Sequence, residues 1–127
     1  MAKISDVNAI QVFDSRGVPT ISCKITLDNG ISASSMVPSG ASTGSKEALE
    51  LRDNEDGYHG EGVLKAVTNI KNKLKPLILG LNPANQLEID QILIDFDGTE
   101  DKSKIGANSI LAISLAISHA AAKDQNI

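Results

Sequence analysis

The sequence predicts an α+β fold, in which a three-stranded antiparallel β-meander is followed by a layer of helices. Apolar and polar residues alternate from Thr20 to Leu27, which is typical of a strand with one buried face. The tripeptide Asp28-Asn29-Gly30 after this run is a strong turn signal. Beyond residue 60, the apolar residues recur at helical spacing instead. The length of 127 residues fits one domain.

The three strands follow from this alternation and from the turns. The central strand buries every second residue from Ile21 onward, which makes Cys23 a core residue. The turn at residues 28–30 predicts that a strand from Ile31 to Val37 pairs antiparallel with it. An earlier strand through Ile10 and Val12 precedes a turn at residues 15–17. The first third of the chain is therefore expected to form the meander.

Three helices are predicted in the rest of the chain. The first is expected to end at Pro76, and its apolar residues are Val63, Val67, Ile70 and Leu74. The second begins after Asn82-Pro83 and ends near Gly98, and its apolar face consists of Leu87, Ile89, Ile92, Leu93 and Phe96. The third runs from Ala107 to Lys123 and is apolar around most of its circumference, which predicts burial against the sheet or another domain.

A loop of small residues separates the predicted sheet from the first helix. It consists of Ser39, Gly40, Ala41, Ser42, Thr43 and Gly44. Short side chains leave the backbone N–H groups accessible and the dihedral angles unrestricted, which suits a mobile lid around an anion or a metal-bound anion. A helix-favouring acidic run from Lys46 to Arg52 follows. Without context, a Ser/Gly-rich segment is more often a plain solvated linker.

Three segments of the chain resemble the amino-terminal domain of the enolase family. Residues 39–53 contain the letters SGASTG and EALELRD, which are similar to the family's flexible catalytic loop. Residues 12–20, VFDSRGVPT, resemble its DSRGNPT hairpin. Residues 97–111 contain DGT and KSKIGANSIL, which resemble its LDGT and KSKLGANAILG segment. The segments agree in order and spacing, and the resemblance extends from about Lys3 to the end of the chain.

The resemblance implies a division of the protein into two parts. Residues 1–127 would be the lid domain, and a carboxy-terminal catalytic barrel, absent from this chain, is expected after it. The activity implied is that of phosphopyruvate hydratase, which reversibly dehydrates 2-phosphoglycerate to phosphoenolpyruvate. The base, the acid and the ligands of a first Mg²⁺ would belong to the barrel, so the chain is expected to contain no catalytic residue and to be inactive alone.

The resemblance also assigns roles within the loop. Ser42 matches the family serine that closes onto a second Mg²⁺ with its hydroxyl and backbone carbonyl, two hard oxygen ligands. Four other residues would shape the loop and contact the substrate through their backbone groups: Ser39, Gly40, Ala41 and Thr43. The glycines at positions 40 and 44 would act as swivel points.

Arg16 has two candidate roles. One is a local salt bridge with Asp14. The other is a bridge across a subunit or domain boundary, which the resemblance of this hairpin to a part of the family near the subunit interface favours. Because family members are dimers, a homodimer or a higher homo-oligomer is expected. Val18 stands where the family has Asn, and it lacks a side chain that could hydrogen-bond the turn.

Composition limits the other function classes. The net charge is −4, and the chain contains neither a basic patch for nucleic acid nor an apolar run long enough to span a bilayer. The first residues lack a signal-peptide core, and Cys23 is the single cysteine, so a cytoplasmic location is expected. The spacing around Gly44-Ser45-Lys46 does not fit a P-loop, and no G-x-G-x-x-G motif follows a strand.

The remaining polar residues have structural interpretations. Neither His59 nor His119 has a second ligand at metal-binding spacing. The segment Asp97-Gly98-Thr99 lacks EF-hand spacing and is expected to form a cap and turn. The carboxylates after the loop are expected to form a solvated acidic helix face and turn: Glu47, Glu50, Asp53, Glu55 and Asp56. Two alternative functions remain open, a capping domain of another enolase-superfamily enzyme and a non-catalytic interaction module.

Overall fold

The computed structural model describes residues 2–37, 53, 62–98 and 105–126. The strands are β1 (Ile4–Phe13), β2 (Pro19–Leu27) and β3 (Ser32–Met36), which pair antiparallel in the order β1-β2-β3. The helical elements are α1 (Leu64–Asn69), a π-helical turn (Ile70–Leu74), α2 (Lys75–Ile78), α3 (Gln86–Asp97) and α4 (Ala107–Asp124). The predicted α+β class and the β-meander are confirmed.

The inner face of the sheet is formed by the alternating residues of β2, as predicted. Cys23 pairs with Ala9 of β1 on one side and with Ser35 of β3 on the other. It is fully buried, and burial raises the pKa of its thiol to about 12. Because the thiolate is the reactive form, Cys23 behaves as a small apolar core residue at neutral pH.

Helix α4 covers this inner face, which confirms its predicted burial against the sheet. It packs against both β2 and β3. The residues that it buries include Ile113, Ala116, Ile117 and Ala120. Leu111 lies on the opposite side and is exposed. The alanines allow the helix to approach the strands closely, so small residues in α4 serve packing as much as helix propensity.

The apolar face of α3 is narrower than the sequence predicts. Ile89 and Leu93 are buried, whereas Leu87 is 87% exposed and Phe96 is partly exposed. A separation of two residues places Leu87 on the far side of the helix from Ile89. The buried residues of α3 form one stripe along the helix, and Leu87 does not belong to it.

The prediction that the first helix ends at Pro76 is wrong. The helix continues to Ile78, and Pro76 lies in the first turn of α2. The wider π-helical turn precedes it, and a proline in a first helical turn needs no N–H partner. The chain leaves the helix at Gly80, where φ is +84° and the N–H donates to the Ile4 carbonyl (2.8 Å). None of the described helices has the length and hydropathy required to cross a bilayer.

Candidate functional site

The residues predicted to form the loop, Ser39 to Gly44, lie outside the described residues, and so do His59 and four of the five carboxylates of the acidic run. The structure describes the two residues on either side of positions 38–52, and each of them makes contacts with the rest of the fold. The first junction consists of Val37 and its contacts. The second consists of Asp53 and its contacts.

The first junction holds the end of β3 against β2. The Val37 N–H donates to the Ile21 carbonyl (3.0 Å), and Val37 is 2% exposed. The hydroxyl of Thr20 donates to the Val37 carbonyl (2.7 Å), and Thr20 is equally buried. Sequence alternation assigns Thr20 to the polar side of the strand, but its buried hydroxyl satisfies a backbone carbonyl.

The second junction caps helix α1 from outside the helix. Asp53 accepts the Leu64 N–H with Oδ2 (3.1 Å) and the Lys65 N–H with Oδ1 (2.9 Å). The Asp53 N–H donates to the Gly62 carbonyl (2.8 Å). A carboxylate at this position satisfies N–H groups that a helix leaves unpaired and interacts favourably with the helix dipole. The expectation that Asp53 belongs to a solvated acidic face is therefore wrong.

Gly62 leaves the space that the Asp53 carboxylate occupies. A Cβ at this position would lie 2.6 Å from Asp53 Oδ2 and 3.6 Å from the side-chain oxygen of Gln11. That oxygen accepts the Val63 N–H (2.8 Å), so β1 also contributes to the cap of α1. Sequence reasoning missed this role of Asp53 because a capping signal is sought next to the helix, whereas Asp53 precedes Leu64 by eleven positions.

Both junctions lie at the same level of the sheet. Ile21, which accepts the N–H of Val37, is the register partner of Gln11, which accepts the N–H of Val63. Neighbouring strands lie about 5 Å apart. Val37 is therefore bonded to β2, and the Asp53 carboxylate lies near the side chain of Gln11 on the adjacent strand β1.

The β1–β2 hairpin is closed by Asp14. Its Oδ1 accepts the N–H groups of Arg16 (2.8 Å) and Val18 (2.9 Å), and Gly17 adopts a φ of +75°. The turn is thus held by a carboxylate and backbone groups at a point where Val18 offers no polar side chain. Arg16 is exposed at the tip of the hairpin.

The interpretation of Asp97 and Gly98 as a cap and turn is confirmed. Asp97 is buried and its Oδ2 accepts the Ile105 N–H (2.6 Å), while Gly98 ends α3 with a φ of +70°. Ser109 ties α4 to α1 by donating to the Ala66 carbonyl (3.2 Å). Thr99 and the two following carboxylates lie outside the described part of the chain.

Metal ligands do not cluster in the described ranges. No group of three or more His, Cys, Asp or Glu residues in 2–37, 53, 62–98 and 105–126 could hold a metal ion. His119 is exposed, and its Nδ1 lies 3.5 Å from the Ser34 carbonyl. The described residues alone therefore do not form a metal centre, and Ser42 is not among them.

The described sheet and its helical layer define a class of protein: a small α+β domain built on a three-stranded antiparallel β-meander. The family model described as "Enolase, N-terminal domain" matches residues 4–127. The chain therefore belongs to the enolase N-terminal domain family, as its three motifs predict.

Two relatives named "Enolase" are similar to almost the whole chain. The enolase of Mycoplasmoides gallisepticum is 54% identical over 125 residues, and that of Mycoplasma genitalium is 55% identical over 126 residues. Each alignment covers 98% of this chain, but only 26% and 28% of the respective relatives. The chain thus spans about a quarter of the length of these curated relatives.

Proposed function

We propose that this chain is the amino-terminal domain of an enolase that reversibly dehydrates 2-phosphoglycerate to phosphoenolpyruvate. The observation that carries the proposal is the family match over residues 4–127, together with identities of 54% and 55% to relatives named enolase. Identity at this level disfavours a capping domain of a different superfamily enzyme. No feature of the described residues favours the interaction-module alternative.

The chemistry is proposed to require a partner domain, a carboxy-terminal barrel, which the greater length of the relatives supports. Three carboxylates described in this chain are already engaged in structural contacts. Asp53 caps a helix, Asp97 accepts a backbone N–H and Asp6 pairs with Lys75. A general base for proton abstraction needs a carboxylate, amine or imidazole placed against the substrate. We therefore assign the base and acid to the barrel.

Within this chain, residues 39–44 are proposed to contact the substrate and the metal. Ser42 would offer its hydroxyl and its carbonyl, which are oxygen ligands that suit Mg²⁺. The metal would stabilise the negative charge that develops on the substrate carboxylate as the α-proton leaves. Backbone groups of residues 39–44 would hold the substrate in place, and the same segment would exclude water from a highly charged site.

We further propose that the protein acts as a homodimer or higher homo-oligomer in the cytoplasm. The exposed position of Arg16 at the tip of the β1–β2 hairpin is compatible with a contact across a subunit boundary. The single cysteine is buried in the core and requires no oxidising compartment.

A chimaera tests the proposed function. The present chain replaces the matching amino-terminal part of the Mycoplasma genitalium enolase, and phosphoenolpyruvate formation from 2-phosphoglycerate is measured as a function of Mg²⁺ concentration. We expect an active enzyme whose rate approaches that of the parent. A soluble, folded chimaera without activity would contradict the proposal. The native relative treated in the same way is the control.

A further inference from the structure

We propose that two side chains of helix α4, His119 and Lys123, form an autoinhibitory guard that prevents the free edge of strand β3 from pairing with a second copy of this chain. An edge strand presents unpaired N–H and C=O groups, which are a template for pairing with another strand. In the described part of the chain, β3 has a neighbouring strand on one side only. The guard is independent of the proposed catalysis.

The hydrogen-bond pattern identifies the backbone groups of β3 that face its free edge. The Leu27 N–H donates to the Ile31 carbonyl (2.8 Å) just before β3 begins. Directly opposed residues of an antiparallel pair alternate between hydrogen-bonded and non-hydrogen-bonded positions. The N–H and C=O groups of Ser32 and Ser34 therefore point away from β2. The bond at the first junction, at the other end of β3, has the same parity.

The guard contacts the two carbonyls that this pattern leaves at the free edge. Lys123 Nζ donates to the Ser32 carbonyl (2.8 Å), and His119 Nδ1 lies 3.5 Å from the Ser34 carbonyl. The spacings match, because four helical residues advance about 6 Å and two strand residues about 6.8 Å. Helix α4 thus runs beside β3 in the opposite direction and places one side chain at each of these carbonyls.

A further contact holds the end of α4 beside the edge. The side-chain amide of Asn29, in the turn before β3, donates to Asp124 (2.8 Å), the residue that follows Lys123. His119 and Lys123 are themselves exposed, so they contribute little to the core. A lysine beside an edge strand adds a charge that an approaching strand would have to desolvate. These observations point to protection of the edge as the role of the two side chains.

The free edge of β3 is self-complementary, which identifies a second copy of this chain as the partner that the guard excludes. Ser34 is the middle residue of the five-residue strand, whose sequence SASSM contains neither proline nor charge. A two-fold axis through Ser34 would oppose this residue to itself and Ser32 to Met36, all of which have the parity of the free edge. Two sheets could therefore join through β3 once the guard is removed.

Removal of the guard tests the inference. The double variant His119→Ala/Lys123→Ala is compared with the wild-type 127-residue chain by sedimentation velocity over a series of protein concentrations. We expect the association constant for dimer formation to rise at least about tenfold, because two acceptors become available for hydrogen bonds between copies. The matched control is Lys73→Ala, which removes an exposed lysine from the π-helical turn and should leave self-association unchanged.

A third substitution identifies the surface through which the double variant associates. Added to that variant, Ser34→Lys would place like charges directly opposite each other across the two-fold axis and should reverse the association. In the double variant alone, the Ser34 N–H should exchange with solvent more slowly as the protein concentration rises. The inference would be overturned by a double variant that associates no more than Lys73→Ala, by association that persists with Ser34→Lys, or by a Ser34 N–H without added protection.

Discussion

Replacing Gly62 by alanine tests the second junction most sharply. The new Cβ would lie 2.6 Å from Asp53 Oδ2, a distance at which either the carboxylate or the backbone must move. Loss of a helix cap costs about 0.5–2 kcal/mol, and loss of the charge–dipole interaction about 0.3–1 kcal/mol. Against this, Gly→Ala lowers the entropy of the unfolded chain and stabilises by about 0.4–1 kcal/mol. The expected net loss for Gly62→Ala is therefore about 1 kcal/mol.

Urea unfolding of a double-mutant cycle measures this effect and identifies its cause. If the clash acts through the carboxylate, Gly62→Ala should destabilise the wild type but not the Asp53→Ala variant, where the space is vacant. The two changes would then be non-additive by about 1.5–2 kcal/mol, because the gain of about 0.4–1 kcal/mol from Gly→Ala remains in the Asp53→Ala variant; coupling of this size is found for residues in direct contact. Additive effects, or a Gly62→Ala variant as stable as the wild type, would refute this account of the junction.

Three further predictions concern other parts of the chain. In the chimaera, Ser42→Ala should raise the Mg²⁺ requirement and lower turnover with an unchanged melting temperature, and an unchanged Mg²⁺ dependence would exclude the proposed ligand role. The side-chain amide of Asn29 donates to Asp124 (2.8 Å), so Asn29→Asp should destabilise the chain by placing two carboxylates side by side. A second change, Asp124→Asn, should restore the melting temperature measured in thermal unfolding. The hydrogen bond and positive charge of Lys75 lower the pKa of Asp6 below its ordinary value of 3.8. The pair therefore stabilises the fold above pH 3.8, and this stabilisation is lost as the pH falls through the lowered pKa. Lys75→Gln should lose a little stability at neutral pH and be as stable as the wild type in stronger acid.

Most of the sheet could be predicted because its signals are local. Alternation in β2 identifies the buried face through Cys23, and the turn at residues 28–30 gives the direction of β3. A residue's face in a strand depends only on its place in the pleat, so the period of two is sufficient. Helix α4 was predictable for a similar reason, since its apolar surface is too wide for solvent exposure.

The misses arise where distant residues decide the outcome. Pro76 carries a local helix-breaking signal, but the π-helical turn before it removes the conflict. Leu87 is apolar, yet it lies on the side of α3 opposite the buried Ile89 and is exposed. These two outcomes depend on backbone geometry and on packing between elements, which hydrophobic periodicity does not encode.

The candidate site also contains features that local sequence predicts and features that depend on contacts between distant residues. The letters SGASTG predict a catalytic loop of the enolase family from the sequence alone, and this stays a prediction because residues 39–44 lie outside the described part of the chain. The capping role of Asp53 was not predicted from the sequence. Its carboxylate accepts the N–H groups of Leu64 and Lys65, which are much farther along the chain than the residues of a capping box. The role of Gly62 was missed as well. A glycine is needed there because a Cβ would collide with the Asp53 carboxylate, and this contact cannot be read from the neighbouring sequence.

The decisive measurement is the rate of phosphoenolpyruvate formation by the chimaera with the Mycoplasma genitalium enolase. It should be compared with the isolated 127-residue chain at equal concentration, with 2-phosphoglycerate and Mg²⁺ supplied to both. We expect a rate close to that of the parent relative for the chimaera and no product from the isolated chain. Product formation by the chain alone, or a folded chimaera that makes none, would contradict this expectation.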